Sequence, residues 1–97
     1  MAFVRLAFFP AGTAEHYARL AGELGDAGLA PEGRVVFTSG QAPGGWQTVQ
    51  VWTSFDALQA FDVEVFLPAI RRLGDAAFPE VPQVVDFETT ELELTPR

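Results

Sequence analysis

Few side chains in this 97-residue sequence have reactive chemistry, and their types narrow what that chemistry is. Cysteine is absent, which removes thiolate nucleophiles, disulfides and Cys-ligated zinc or iron–sulfur sites. Asparagine and lysine are absent too, and His16 is the single histidine. One histidine gives no convincing Ser-His-Asp order, and no ligand cluster suggests a metal. What remains is carboxylates, guanidinium groups, amides and rings. Arg5, Gln50, Asp86 and Glu88 are the candidate catalytic residues. Arg5 and Gln50 can stabilise a phenolate or enolate, while Asp86 or Glu88, with a raised pKa, accepts a proton. The same Arg5, facing Asp86 and Glu88 across adjacent strands, also reads as a buried ion pair with Glu88 at a wet rim. Phe3, Trp46, Thr48 and Trp52 are the candidate substrate contacts. Trp46, Thr48, Gln50 and Trp52 share one strand face, so two indoles can sandwich a planar ring or simply fill an interface. His16 suits general-base work near neutral pH. Its position off the Tyr17–Leu20–Leu24 stripe instead reads as an exposed helix residue.

The elements that must position these groups follow from punctuation and periodicity. Ala2 to Phe9 is apolar except for Arg5 and ends at Pro10-Ala11-Gly12, a buried strand. Thr13 offers an N-cap, Glu15 complements the first turn, and Gly25 and Gly28 stop the helix. Arg34–Ser39 and Trp46–Trp52 read as strands joined by a hairpin over Gly40–Gly45, too strand-bound to be a phosphate loop. Ser54 caps a second helix carrying Leu58, Phe61, Val65, Ala69 and Leu73. Pro68 should kink or split it, and Gly74 follows Arg71-Arg72 at its end. Gln83–Leu94 alternates as a long last strand, with Glu91 to Thr95 as an extension or a frayed tail.

The order is β-α-β-β-α-β, which makes one α+β domain over residues 1–97: a four-stranded antiparallel sheet with two helices on one face, the ferredoxin-like arrangement. Composition agrees with one folded core. Hydrophobic residues are 48% and charged residues 20%, with nine Phe and two Trp, which excludes disorder. The formal charge of −7 repels phosphate, so neither nucleic acid nor an anionic membrane is an expected partner. No run approaches the ~18 apolar residues of a membrane span, and the opening residues lack a secretory pattern. A cytoplasmic protein is expected.

Strand alternation gives each strand two faces. Val4, Leu6 and Phe8, Val35 and Phe37, Val49 and Val51, and Val85 and Phe87 form wholly apolar sets, expected to lie beneath the helices. The opposite face mixes Phe3, Phe9, Trp46 and Trp52 with Arg5, Thr48, Gln50, Asp86 and Glu88. That mixture is too apolar for a solvated face and too charged for a dry core. It predicts a second copy covering this face, closing a dimeric α+β barrel around a partly polar cavity.

Pro31-Glu32-Gly33, the strand ending at Gly40, Gly44-Gly45-Trp46, Val51-Trp52-Thr53-Ser54 and the helix with Ala57, Phe61 and Leu67-Pro68 together resemble a known family. It is the small dimeric α+β-barrel proteins related to antibiotic-biosynthesis monooxygenases, common in high-GC bacteria. The resemblance runs from Pro10 through the last strand and implies fold and homodimerisation. It also implies a small aromatic or polyketide-like ligand in the barrel and, for some members, oxidation by O₂ with no cofactor. Haem-degrading and several oxygenase members use Asn, His and Trp around the cavity. This chain has no Asn, and it carries Phe61 and Phe37 near positions where relatives have His. Two functions follow: a cofactor-independent monooxygenase or isomerase, or a non-catalytic dimeric module for ligand binding or a stress role.

Overall fold

The computed structural model describes residues 2–94. Among these residues the order is β1 (Phe3–Pro10), α1 (Ala14–Leu24), β2 (Arg34–Ala42), β3 (Gly45–Trp52), α2 (Phe55–Phe61), α3 (Leu67–Leu73) and β4 (Gln83–Glu88). The strands form one antiparallel sheet in the order β2-β3-β1-β4, so the first and last strands are neighbours as expected.

Local chemistry explains the element ends. Thr13 caps α1 in extended conformation, its hydroxyl accepting from the His16 backbone N–H while His16 Nδ1 accepts from the Thr13 backbone N–H at 3.1 Å. His16 thus takes the position that Glu or Gln fills in an ordinary capping box, and its ring is committed to the helix end. Ser54 caps α2 through the Ala57 N–H at 3.1 Å. The hairpin turn is shorter than the sequence suggests. β2 runs on to Ala42 and β3 resumes at Gly45, leaving only Pro43-Gly44, with Gly44 at φ 82°. Proline followed by a residue at positive φ is what a tight two-residue turn of this hand demands.

Pro68 does interrupt the second helix. Asp62–Phe66 forms a π-helical turn between α2 and α3, and Pro68 stands in the first turn of α3. A proline ring clashes with the carbonyl four residues earlier and offers it no N–H. Here that carbonyl belongs to Glu64, in the middle of the widened turn.

β4 stops at Glu88, short of the expected Leu94. Glu88 pairs with Phe3, the first residue of β1, and the Thr89 N–H donates to the Ala2 carbonyl at 2.8 Å. Thr95 lies outside the described residues.

The assignment of sheet faces is reversed from the sequence expectation. Cross-strand rows run Phe3–Trp52–Glu88, Arg5–Gln50–Asp86, Ala7–Thr48–Val84 and Phe9–Trp46. This mixed face is the one beneath the helices. Phe9, Ala7 and Trp46 pack with Tyr17, Phe66 and Phe78, while Trp52 packs with Leu58, Phe61 and Val65. The apolar rows, Val4–Val51–Phe87 and Leu6–Val49–Val85, lie on the opposite face; Val4 and Val51 at its centre are buried, while Val85 and Phe87 on the edge strand are 58% and 47% exposed. Alternation alone cannot say which face the helices choose. Ring volume decides: the indoles and Phe9 supply more buried area than the valine rows. Phe37 is a separate correction. A β-bulge between Arg34 and Val36 shifts the parity of β2, so Arg34 pairs with Trp52 and Phe37 with Gln50. Both therefore share the mixed face, whereas Phe37 was expected among the apolar sets.

Candidate functional site

The two aromatic clusters occupy opposite ends of the helix-facing sheet surface, with Phe66 touching both. Between them the rows carry the short side chains Ala7 and Thr48 and the polar side chains Arg5 and Gln50. Large rings at the ends and small groups in the middle hold the helices off the sheet. The result is a cavity of about 210 Å³, walled by Arg5, Thr48 and Gln50 from the sheet and by Tyr17, Asp62 and Phe66 from the helices. It lies inside the chain, under its own helices.

Arg5 organises the charged wall. Its Nε and Nη2 donate to the two carboxylate oxygens of Asp86, at 2.9 and 2.8 Å, and its Nη1 donates to Asp62 Oδ2. The fork on Asp86 is the bidentate geometry that Arg and a carboxylate make best. The hydrogen bonds to Asp86 contribute most to keeping Arg5 ionised; they and those to Asp62 outweigh its desolvation. Asp62 is in a different position. Burial pushes its carboxyl above the usual carboxylate range, and the single hydrogen bond and charge of Arg5 offset this only in part. The site thus holds one carboxylate in a bidentate fork and a second whose burial makes it keep its proton to higher pH than an ordinary aspartate.

Gln50 is oriented by a core residue. Its Oε1 accepts from Trp52 Nε1 at 3.0 Å, which leaves the amide NH₂ as the group Gln50 presents at the cavity wall. Thr48 donates its hydroxyl to the Ala7 carbonyl at 3.3 Å. Tyr17 stacks between Phe37 and Trp46, with ring centroids 6.2 and 5.3 Å away.

Of the eight residues singled out by sequence, Arg5, Thr48 and Gln50 line the cavity, and Asp86 meets it through Arg5. Glu88 is exposed in the row of Phe3 and does not line it. Phe3, Trp46 and Trp52 are not lining residues either. Trp52 is 0% exposed and Trp46 is buried, so the two indoles are pillars at the cavity's ends and do not sandwich its contents. Sequence reasoning missed Asp62, Tyr17 and Phe37. Asp62 left a readable signal: it follows Leu58 by four, so an acid stands where the helix's apolar face continues. Among the described residues, no three His, Cys, Asp or Glu side chains converge as a metal site.

No family model matches the sequence, and no curated protein matches it either. Solved structures do match. NE2512, a protein of unknown function from Nitrosomonas europaea, superposes with a TM-score of 0.70 at 15% identity, over 99% of this chain and 96% of that one. A "putative antibiotic biosynthesis monooxygenase" from Caulobacter crescentus gives 0.73 at 15% identity, over 93% and 91%. Rv0793 from Mycobacterium tuberculosis gives 0.72 at 13% identity, over 95% and 98%. The chain therefore shares, over 93–99% of its length, the ferredoxin-like fold of these three proteins, of which the Caulobacter one carries the monooxygenase description. Identities this low speak to fold alone.

Proposed function

We propose that this protein is a cofactor-independent monooxygenase-like enzyme that oxidises a small aromatic compound held between its sheet and its helices. The observation that carries the proposal is the Asp62 carboxyl, its pKa raised by burial, in the wall of an aromatic cavity and fixed by Arg5. A carboxylate whose proton affinity is raised by burial is a stronger general base than an ordinary aspartate.

Asp62 accepts a proton from a phenol or an activated ring methylene. The resulting anion is stabilised by the Gln50 NH₂, while Arg5, already shared by two carboxylates, positions Asp62. Water exclusion by the two aromatic clusters strengthens both interactions. The electron-rich anion reacts directly with O₂. For a ring methylene, or for a ring C–H of a phenol that goes on to the quinone with loss of its O–H hydrogen, one oxygen atom becomes the new carbonyl oxygen. The other leaves as water with the two hydrogens, so O₂ is the only oxidant required. The enzyme's share is desolvation, orientation and proton transfer. A benzene-sized ligand fills a cavity of roughly 150 Å³, so about 210 Å³ suits one or two fused rings better than an extended polyketide.

The outward apolar sheet face supports homodimerisation as part of this reading. Val85 and Phe87 stand exposed beside the Val4–Val51 row, and a second copy would cover them. A non-catalytic binding module would use the same cavity, and Asp62 separates the two. Oxygen uptake with a panel of one- and two-ring phenols should fall at least ~100-fold in Asp62→Asn while ring affinity persists. Binding without oxygen uptake in the unaltered protein would leave the module.

A further inference from the structure

We infer that Arg34 is an anion-binding residue of the cavity and that the molecule it receives is an aromatic carboxylate. This rests on the cavity being a site for aromatic compounds, and it adds the charge that the occupant must bring.

Arg34 opens β2, and its pairing with Trp52 turns its side chain toward the helices. There the guanidinium sits among rings. Its central carbon is 4.5 Å from the centroid of Phe37 and 5.9 Å from those of Trp52 and Phe61. Among the described residues the guanidinium makes one hydrogen bond, from Nη2 to the Gly28 carbonyl at 3.1 Å, and Arg34 lines the cavity. Arg5, Arg19 and Arg72 each have a carboxylate within ion-pair distance; Arg34 has none among the described residues. Burial weakens its hold on its proton, as expected of a cation drawn out of water without a counter-charge.

Three physical points select the ligand class. A half-buried guanidinium without a carboxylate is costly unless an anion arrives to pair with it. Its free N–H groups form a planar fork that matches a carboxylate in bidentate fashion. Arg5, the other cation in the wall, is already neutralised by Asp62 and Asp86. Arg34 is thus the cation of the wall with no carboxylate in contact, and an anion of single charge matches it, which favours a carboxylate over a dianionic phosphate. The rings around Arg34 would flank the aromatic body attached to that carboxylate. The overall charge of −7 does not oppose this, since it is screened over a Debye length of roughly 8–10 Å while the pairing occurs in contact.

The test compares two isosteric probes, 2-naphthoate and 2-naphthamide, by calorimetric titration of the unaltered protein and of Arg34→Gln and Arg34→Lys. The expected result is at least ~10-fold tighter binding of the acid than of the amide, lost in Arg34→Gln and only partly kept in Arg34→Lys, which retains the charge without the fork. Equal affinity for acid and amide in the unaltered protein would overturn the role of Arg34 while leaving the aromatic cavity standing. Failure of both probes to bind would remove the aromatic-cavity reading, and the Arg34 assignment with it. Because the first comparison needs no variant, a folding defect in Arg34→Gln leaves the decision intact.

Discussion

Asp62 and Asp86 are both held by Arg5, yet the structure gives them different work. Asp86 takes the two-pronged contact across the β1–β4 pair, whereas Asp62 takes one bond and the larger burden of burial. Two pH effects follow. With Asp62 as base, kcat/KM should rise with pH through a value above the ordinary 3.8 and flatten above it, and Asp62→Asn should abolish that rise. Folding stability should move the other way. The folded chain keeps the Asp62 proton to higher pH than the unfolded chain does. The stabilisation this gives is therefore complete below 3.8 and is lost as pH rises through the raised value. Thermal melts of the two proteins across that window should show a shallower decline for Asp62→Asn. An identical pH dependence would mean that Asp62 titrates as an ordinary surface acid. At this scale Arg5, Thr48 and Gln50 were legible, because polar side chains interrupt apolar strands. The Trp pair was legible as important but not as core, since a ring's type does not say whether ligand or protein covers it.

Two irregular elements shape the site, and they account for most of what sequence pattern could not supply. A one-residue bulge in β2 brings Arg34 and Phe37 onto one face, where strict alternation sets them on opposite faces. No composition signal marks that bulge. The π turn at Asp62–Phe66 was half legible: Pro68 announced an interruption, but not that an acid would be carried to the cavity wall on it. The turn makes a prediction. Pro68→Ala restores an N–H opposite the Glu64 carbonyl and allows residues 55–73 to close as a regular helix. Stability should rise by about 1 kcal/mol, and turnover should drop as Asp62 rotates away from Arg5. Denaturant melts and the pH–rate profile read the two effects separately. Unchanged turnover in a regularised helix would show that the π turn does not position the base.

For the whole molecule, the order of strands and helices and the antiparallel sheet could be read from pattern, but the choice of face could not. Apolar rows such as Val4–Val51–Phe87 look like helix-covered core in a sequence, yet they face away from the helices, with Val4 and Val51 still buried and Val85 and Phe87 exposed. The rings with the arginine face the helices. That inversion places the cavity within the chain, beneath its own helices, where the sequence expectation set it between two copies; the proposed dimer would use the other face. Phe87→Asp, which places a charge on the outer face, should convert a dimer to a monomer by light scattering while retaining ring affinity in the cavity. Among the described residues no helix is long and apolar enough to cross a membrane, so this face is not part of a helical span. The most direct measurement is a crystal structure of the protein with 2-naphthoate. The account predicts one ring per subunit between sheet and helices, its carboxylate on Arg34 and its far edge toward Asp62, with two sheets packed through Val85 and Phe87. A ring bound between the sheets of two subunits, or an apolar face left bare with the cavity closed, would contradict it.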